Sequence, residues 1–181
     1  MSLFLLALIA CHDPADTQAP TDPHTPGALA LTSSAFSDGT SIPEAYSCDG
    51  DAGSPPLAWQ GAPEGTAAFA LTLRDPDAPS GDCHHWGLVD LPATVDHLDE
   101  GASPGGSLPE GAWEALSYLG TAGYAGPCPP PGAAAHTYRF TLYALNAPLG
   151  DPGEAPALAD VLADLDAATL GTATLVGSYG R

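Results

Sequence analysis

The stretch Thr137-Tyr138-Arg139-Phe140-Thr141-Leu142-Tyr143-Ala144-Leu145 decides the fold. Tyr138, Phe140, Leu142 and Ala144 fall on one face of an extended chain, and Thr137, Arg139, Thr141 and Tyr143 fall on the other. Side chains of a β-strand alternate between faces, so this period of two predicts a strand. Upstream, Ala67 to Leu73 is an almost continuous apolar run that stops at Arg74-Asp75-Pro76. It predicts a buried central strand whose C-terminal end delivers Asp75 to the surface. Trp86 to Leu91, ended by Pro92, and Thr172 to Tyr179 predict two more strands. From Leu29 onward turns punctuate short apolar runs, the rhythm of a mostly β domain. One helix is expected between Pro156 and Gly171, where Leu158, Val161, Leu162, Leu165 and Ala168 recur at three- and four-residue intervals. Asp160, Asp164 and Asp166 take its exposed face, Pro156 suits its first turn and Gly171 its C-terminal cap.

A chain of 181 residues is long enough for one domain with a proper core. Its charge narrows the partners. Twenty-two acidic residues face three arginines (Arg74, Arg139, Arg181) and no lysine, a formal net charge of −19. Such a surface repels phosphate backbones and anionic membranes, which excludes nucleic acid as a partner. Met1 to Ala10 is almost wholly apolar and ends in Leu8-Ile9-Ala10-Cys11, similar to a bacterial lipobox although no basic residue precedes it. Ten residues are too few to cross a bilayer, which needs about 20. Residues 1–11 therefore read as a lipoprotein-type signal ending at an acylated Cys11. Residues 12–28, with four prolines and no apolar period, read as a tether, and residues 29–181 as the domain. His12 and His24 fall in the tether and are assigned no chemistry. The expected location is outside the cytoplasm, on a bacterial membrane facing the periplasm or exterior, with the lipid on Cys11 as the sole membrane contact. An exported chain can form disulfides, and Cys48, Cys83 and Cys128 leave one thiol over. Cys48 with Cys128 is the preferred pair because both flank turns near the candidate site; the other pairings stay open. No Cys-x-x-Cys spacing for a structural zinc occurs.

Chemistry concentrates at strand ends. Asp75-Pro76-Asp77-Ala78-Pro79 is followed by His84-His85-Trp86, then by Gly126-Pro127-Cys128-Pro129-Pro130-Pro131-Gly132 and His136-Thr137-Tyr138. Titratable side chains beside rigid proline turns suit a preformed polar site. An isolated Asp-Pro-Asp is more often a simple turn, but the four groups together point to one place. Three chemistries fit: an anion pocket, a metal site, or an acid/base enzyme. His84, His85, His136 and the two aspartates are numerous enough for zinc, yet adjacent histidines on a strand point to opposite faces. No Gly-x-Ser-x-Gly nucleophile elbow occurs, and Ser80 and Cys83 lack an activating neighbour. In an anion pocket the imidazoles would donate N–H bonds, and the carboxylates would fix their tautomer.

These motifs, read in order with Tyr46-Ser47-Cys48-Asp49-Gly50, Ser54-Pro55-Pro56-Leu57-Ala58-Trp59, Pro63-Glu64-Gly65-Thr66, Gly123-Tyr124 and Leu175-Val176-Gly177-Ser178-Tyr179, resemble the phosphatidylethanolamine-binding protein family in its bacterial Raf-kinase-inhibitor-like branch. The resemblance runs from about Leu31 to Arg181. It implies an antiparallel β-sandwich with one or two peripheral helices and a small pocket for phosphate or phospholipid head groups. Carried over residue by residue, that pocket would use Asp75, Asp77, His85, Pro130, His136 and Tyr138. Where members commonly carry an arginine, this chain has Thr137, with Arg139 two residues on, and Pro131 stands where a basic residue is common. The reading assigns no catalytic residue, metal or cofactor and leaves any protein partner unknown. Its rivals are a hydrolase or isomerase using His85 or His136 as acid/base with Asp75 as orienter, and an interaction or protease-inhibitor module presenting the Gly- and Pro-rich loop from Asp99 to Gly126.

Overall fold

The alternating stretch forms the long strand at the centre of the larger of two sheets. The structure, a computed structural model, describes residues 27–51 and 53–181; the predicted signal, Cys11 and the tether as far as residue 26 lie outside the described residues. In chain order the elements are β1 (Ala30–Thr32), β2 (Thr40–Ser41), a 3-10 turn (Glu44–Tyr46), β3 (Leu57–Gln60), β4 (Ala68–Asp75), β5 (Cys83–Pro92), β6 (His97–Leu98), β7 (Trp113–Glu114), β8 (His136–Leu145), α1 (Leu158–Ala168) and β9 (Thr169–Tyr179). A small sheet has the order β1-β3-β6, and a large one the order β2-β9-β8-β4-β5-β7. Between these strands all pairings are antiparallel except one: the two-residue β2 runs parallel to β9 at the sheet edge, a departure from the all-antiparallel expectation.

Two apolar layers explain the sequence pattern. Leu31, Leu57, Trp59 and Leu98 of the small sheet pack against Phe69, Leu71, Leu73, Trp86, Phe140 and Leu142 of the large one. On the opposite face of the large sheet, Ala68, Ala70, Val89, Tyr143 and Leu145 pack under Leu158, Val161 and Leu165 of α1. β4 is thus covered on both sides, which is why its run of apolar residues barely alternates. Each fully buried Leu or Phe contributes roughly 1.5–3 kcal/mol.

Both expected helix ends shift. Pro156 precedes the helix, since its carbonyl is taken by Leu116 N at 2.7 Å and Ala157 is the N-cap. Gly171 is not a cap either, because the chain passes straight from Ala168 into β9. Thr169 closes the helix by its hydroxyl, which donates to Leu165 O at 2.6 Å. Gly171 lies in the strand, where a Cβ would come within 3.3 Å of Pro63.

β5 carries two register slips against β4, between Phe69 and Leu71 and between Leu73 and Arg74. At the first, Asp90 takes a left-handed φ of 59°. Its carboxylate accepts from Leu149 N, Gly150 N and Trp113 Nε1, so the bulge also pins the loop after β8. Cys48 and Cys128 form the disulfide, with Cα atoms 5.4 Å apart, and Cys83 is a half-buried free thiol.

Candidate functional site

β4 ends where β8 begins, so the antiparallel pairing sets Asp75 beside His136. Asp75 Oδ2 accepts from His136 Nδ1 at 2.8 Å, and Asp75 Oδ1 accepts from Asp77 N at 2.9 Å. Asp77 in turn accepts Thr137 N at 2.8 Å, and those bonds to Thr137 hold its carboxyl below the usual carboxylate range. The Asp-Pro-Asp segment is therefore both a turn and a brace across two strands. Asp75 and His136 are buried, whereas Asp77 is exposed.

The second slip in β5 selects the histidine. Leu73 pairs with Trp86 and Arg74 with His84, which leaves His85 as the extra residue of a bulge. Strict alternation back from inward-facing Trp86 would have turned His84 inward; the bulge turns His85 in instead. His85 is buried, edge-on to the Tyr138 ring at 5.3 Å and tilted against Tyr118 at 4.8 Å. Its Nδ1 lies 2.9 Å from Ala125 O. A carbonyl only accepts, so Nδ1 carries the proton. Burial pushes the His85 pKa below its ordinary value. His84 sits apart from this cluster, 4.0 Å from Asp82, its pKa lowered by partial burial and by the Arg74 charge.

Tyr138 forms the floor. Its ring is fully buried between the two imidazoles, stacked on His136 at 6.5 Å. Its hydroxyl is buried and has no hydrogen-bond partner among the described residues. Burial raises the phenol pKa most, the nearby Asp75 carboxylate raises it further and the Cys128 backbone lowers it, yet both Asp75 oxygens already accept other bonds and neither neighbour makes a well-formed hydrogen bond to the hydroxyl. The Nδ1 atoms of both histidines are committed, and the Gly126 carbonyl also lies close to the His85 ring. The cluster thus gathers two imidazoles of fixed orientation around one hydroxyl that has no partner among the described residues.

Pro130 lies exposed in its turn, its carbonyl accepting Ala133 N at 3.1 Å; its neighbour Pro129 is the buried one. The turn is fixed by the Cys48–Cys128 bond, by Cys48 N on Pro127 O, and by Gly132 N on Arg181 O. Arg139 shares a strand face with Thr137, away from His136 and Tyr138, so it does not replace the missing arginine. The loop from Asp99 to Gly126 is ordered and builds the site. Tyr118 N donates to His84 O at 2.7 Å and Ala125 N to His85 O at 3.0 Å, which holds Tyr118 over His85. Sequence reasoning offered this Gly- and Pro-rich loop as an interaction surface but did not place Tyr118 in the site; its neighbours carry no pattern that points there.

Among the described residues, no three His, Cys, Asp or Glu side chains converge with metal-binding spacing. A separate cleft of 300 Å³ shares the Gly126 wall and is lined by Ser47, Asp51 and Tyr124, but it contains none of the predicted side chains.

Residues 32–180 match the phosphatidylethanolamine-binding protein family. The chain belongs to that family. A UPF0098 protein of Methanothermobacter thermautotrophicus is 42% identical over 152 residues, covering 83% of this chain and 98% of its own. A Mycobacterium tuberculosis relative named as a lipoprotein, LppC, is 38% identical over 151 residues, 83% of this chain and 72% of its own. Among solved structures, Escherichia coli YbcL superposes with a TM-score of 0.79 at 35% identity, covering 84% of this chain and 98% of YbcL. A homologue from Chlamydia trachomatis, CT736, gives 0.77 at 37% identity, covering 86% and 99%. No helix among the described residues is long and apolar enough to cross a membrane.

Proposed function

We propose that the protein is an exported, lipid-anchored, non-enzymatic binding protein whose pocket takes a small anion or a phosphorylated head group. Asp75, His85, His136 and Tyr138 form the pocket, Asp77 braces it, and the turn bearing Pro130 shapes its rim. The observation that carries this reading is the buried, partnerless hydroxyl of Tyr138 between two imidazoles whose Nδ1 atoms are already committed. A buried polar group without a partner is costly, and a ligand oxygen would satisfy it. Asp75 orients His136 as carboxylates orient ligating imidazoles elsewhere. Acylation of Cys11 is supported by the lipobox-like sequence and by the lipoprotein name of LppC. A second, acid/base reading draws on the same Asp75–His136 pair; Cys83, a thiol near Asp75, has its pKa raised by burial and by Asp75, which disfavours a thiolate nucleophile.

Titration of the protein with phosphate and with phosphoethanolamine, following histidine ring signals by NMR, tests the proposal. Saturable shifts of His85 and His136 are expected, and His136→Ala abolishes binding while the fold persists. Unchanged affinity in that variant would remove the pocket assignment.

A further inference from the structure

Two of the three arginines in this strongly acidic chain stand directly opposite each other. Arg74 of β4 pairs in register with Arg139 of β8. Like charges at facing positions of a sheet destabilise it, and such a pair is unexpected where acidic residues outnumber arginines 22 to 3. Alternation puts both on the face of the large sheet turned away from His136 and Tyr138. Together with Pro76 and Asp82 they line a cavity of 180 Å³. Arg74 bonds to Asp82 through one terminal nitrogen, but its Nε is buried and partnerless among the described residues. Arg139 is exposed and forms no ion pair among the described residues. Two guanidinium charges therefore face one carboxylate, in a chain whose surface is otherwise negative. His84 stands opposite Arg74 on the neighbouring strand β5.

We propose that Arg74 and Arg139 form a second anion site, independent of the histidine pocket, for a tetrahedral oxyanion: phosphate, sulfate or the terminal group of a phosphomonoester. The planar forks of two guanidiniums suit paired oxygens, and Arg74 Nε–H and the unpaired donors of Arg139 are available for them. Occupation relieves the repulsion between the two cations. It also gives the buried Nε a partner. Pro76 and Asp82 close the sides, and Asp82 keeps Arg74 in place without neutralising the pair. The two sites lie back to back across one strand, since Arg74 and Asp75 are consecutive residues with opposite directions.

Only three arginines exist, so their Nε–Hε signals in NMR can be followed one by one. The protein is titrated with sulfate, inorganic phosphate and glycerol phosphate, each against sodium chloride at matched ionic strength. The Arg74 and Arg139 signals are expected to shift saturably with at least one oxyanion, both in the wild type and in His136→Gln; which of the three saturates at the lowest concentration identifies the source. Arg139→Gln, at an exposed position, should weaken that response about tenfold, the value of one charge-assisted hydrogen bond, while the histidine signals still respond. Shifts that merely track ionic strength, or that follow protein concentration, would overturn the proposal. Loss of the arginine response in His136→Gln would overturn it too, since one site rather than two would then exist.

Discussion

Replacing Tyr138 with phenylalanine separates a binding role from a packing role because the two have opposite signs. The ring is fully buried and keeps its contacts with His85 and His136 in the variant. Only the hydroxyl goes, and in the ligand-free protein that hydroxyl has no partner among the described residues. An unsatisfied buried hydroxyl costs about 1–3 kcal/mol, so Tyr138→Phe should leave the free protein as stable as before or stabilise it by up to about 2 kcal/mol. The bound state behaves in the other direction. A hydrogen bond to a charged ligand contributes about 1.5–3 kcal/mol, so affinity for phosphate should fall by roughly one to two orders of magnitude. Urea unfolding without ligand measures the first effect, and calorimetric titration measures the second. Thermal melts at rising phosphate connect them, since a ligand that binds the native state alone raises the melting point by mass action. Destabilisation by more than about 1 kcal/mol would mean the hydroxyl is already satisfied inside the protein. Affinity within about twofold of wild type would mean that the ligand does not reach it. Either result refutes the reasoning.

Three further outcomes follow from the same geometry. In an anion complex His85 must donate from Nε2 while Nδ1 still donates to Ala125 O, which requires the protonated ring; since burial lowers the His85 pKa, sulfate affinity should rise as pH falls below about 6.5, level off below the free-state pKa, and lose this contribution to the slope in His85→Gln. Gly126→Ala places a Cβ 2.8 Å from the Ser47 carbonyl carbon and 2.9 Å from Tyr46 O, backbone atoms that cannot step aside; a loss of about 1–3 kcal/mol in unfolding experiments is expected, with a moved His85 ring signal because Ala125 O is displaced. Replacing Cys48 and Cys128 together by serine opens a loop with a sequence separation of 80, and chain entropy puts the loss near 4 kcal/mol, measurable as a lower melting temperature that no longer responds to reductant.

The strands were legible where one face meets a layer and the other is more open, as in Thr137 to Leu142, and where two layers bury both faces, as in β4. That a carboxylate would orient an imidazole was legible too, since Asp75 ends one strand and His136 opens another beside rigid proline turns, but which imidazole it would be, His85 or His136, was not. What sequence could not give were the irregularities that depend on a partner strand. Adjacent histidines announce that one points inward, but alternation from Trp86 favours His84, and only a bulge against β4 makes it His85; it was the family resemblance that named His85 in advance. Asp90 at positive φ is a second such case, since a buried carboxylate in a strand shows its use only once Leu149, Gly150 and Trp113 are seen around it. The helix cap failed for a related reason: a glycine at the right spacing reads as a terminator, whereas here it admits Pro63 against a strand that follows the helix without a turn. Tyr118 reaches the site through two backbone hydrogen bonds of a long loop, which leave no trace in residue types.

The commitment of both Nδ1 atoms, one to a carbonyl and one to a carboxylate, has a consequence for discrimination among ligands. With Arg74 and Arg139 turned to the opposite face and Arg181 paired with Asp49 beside the disulfide, no permanent cation stands between the two imidazoles, so the pocket counts protons rather than charges. Hydrogen phosphate, the dianion of neutral and alkaline solution, brings its own proton and can give it to a neutral Nε2 while accepting from Tyr138. Sulfate at neutral pH brings none and must wait for the protein to acquire one. Two oxyanions of nearly the same size and shape should therefore be told apart by acidity alone, most sharply at neutral and alkaline pH.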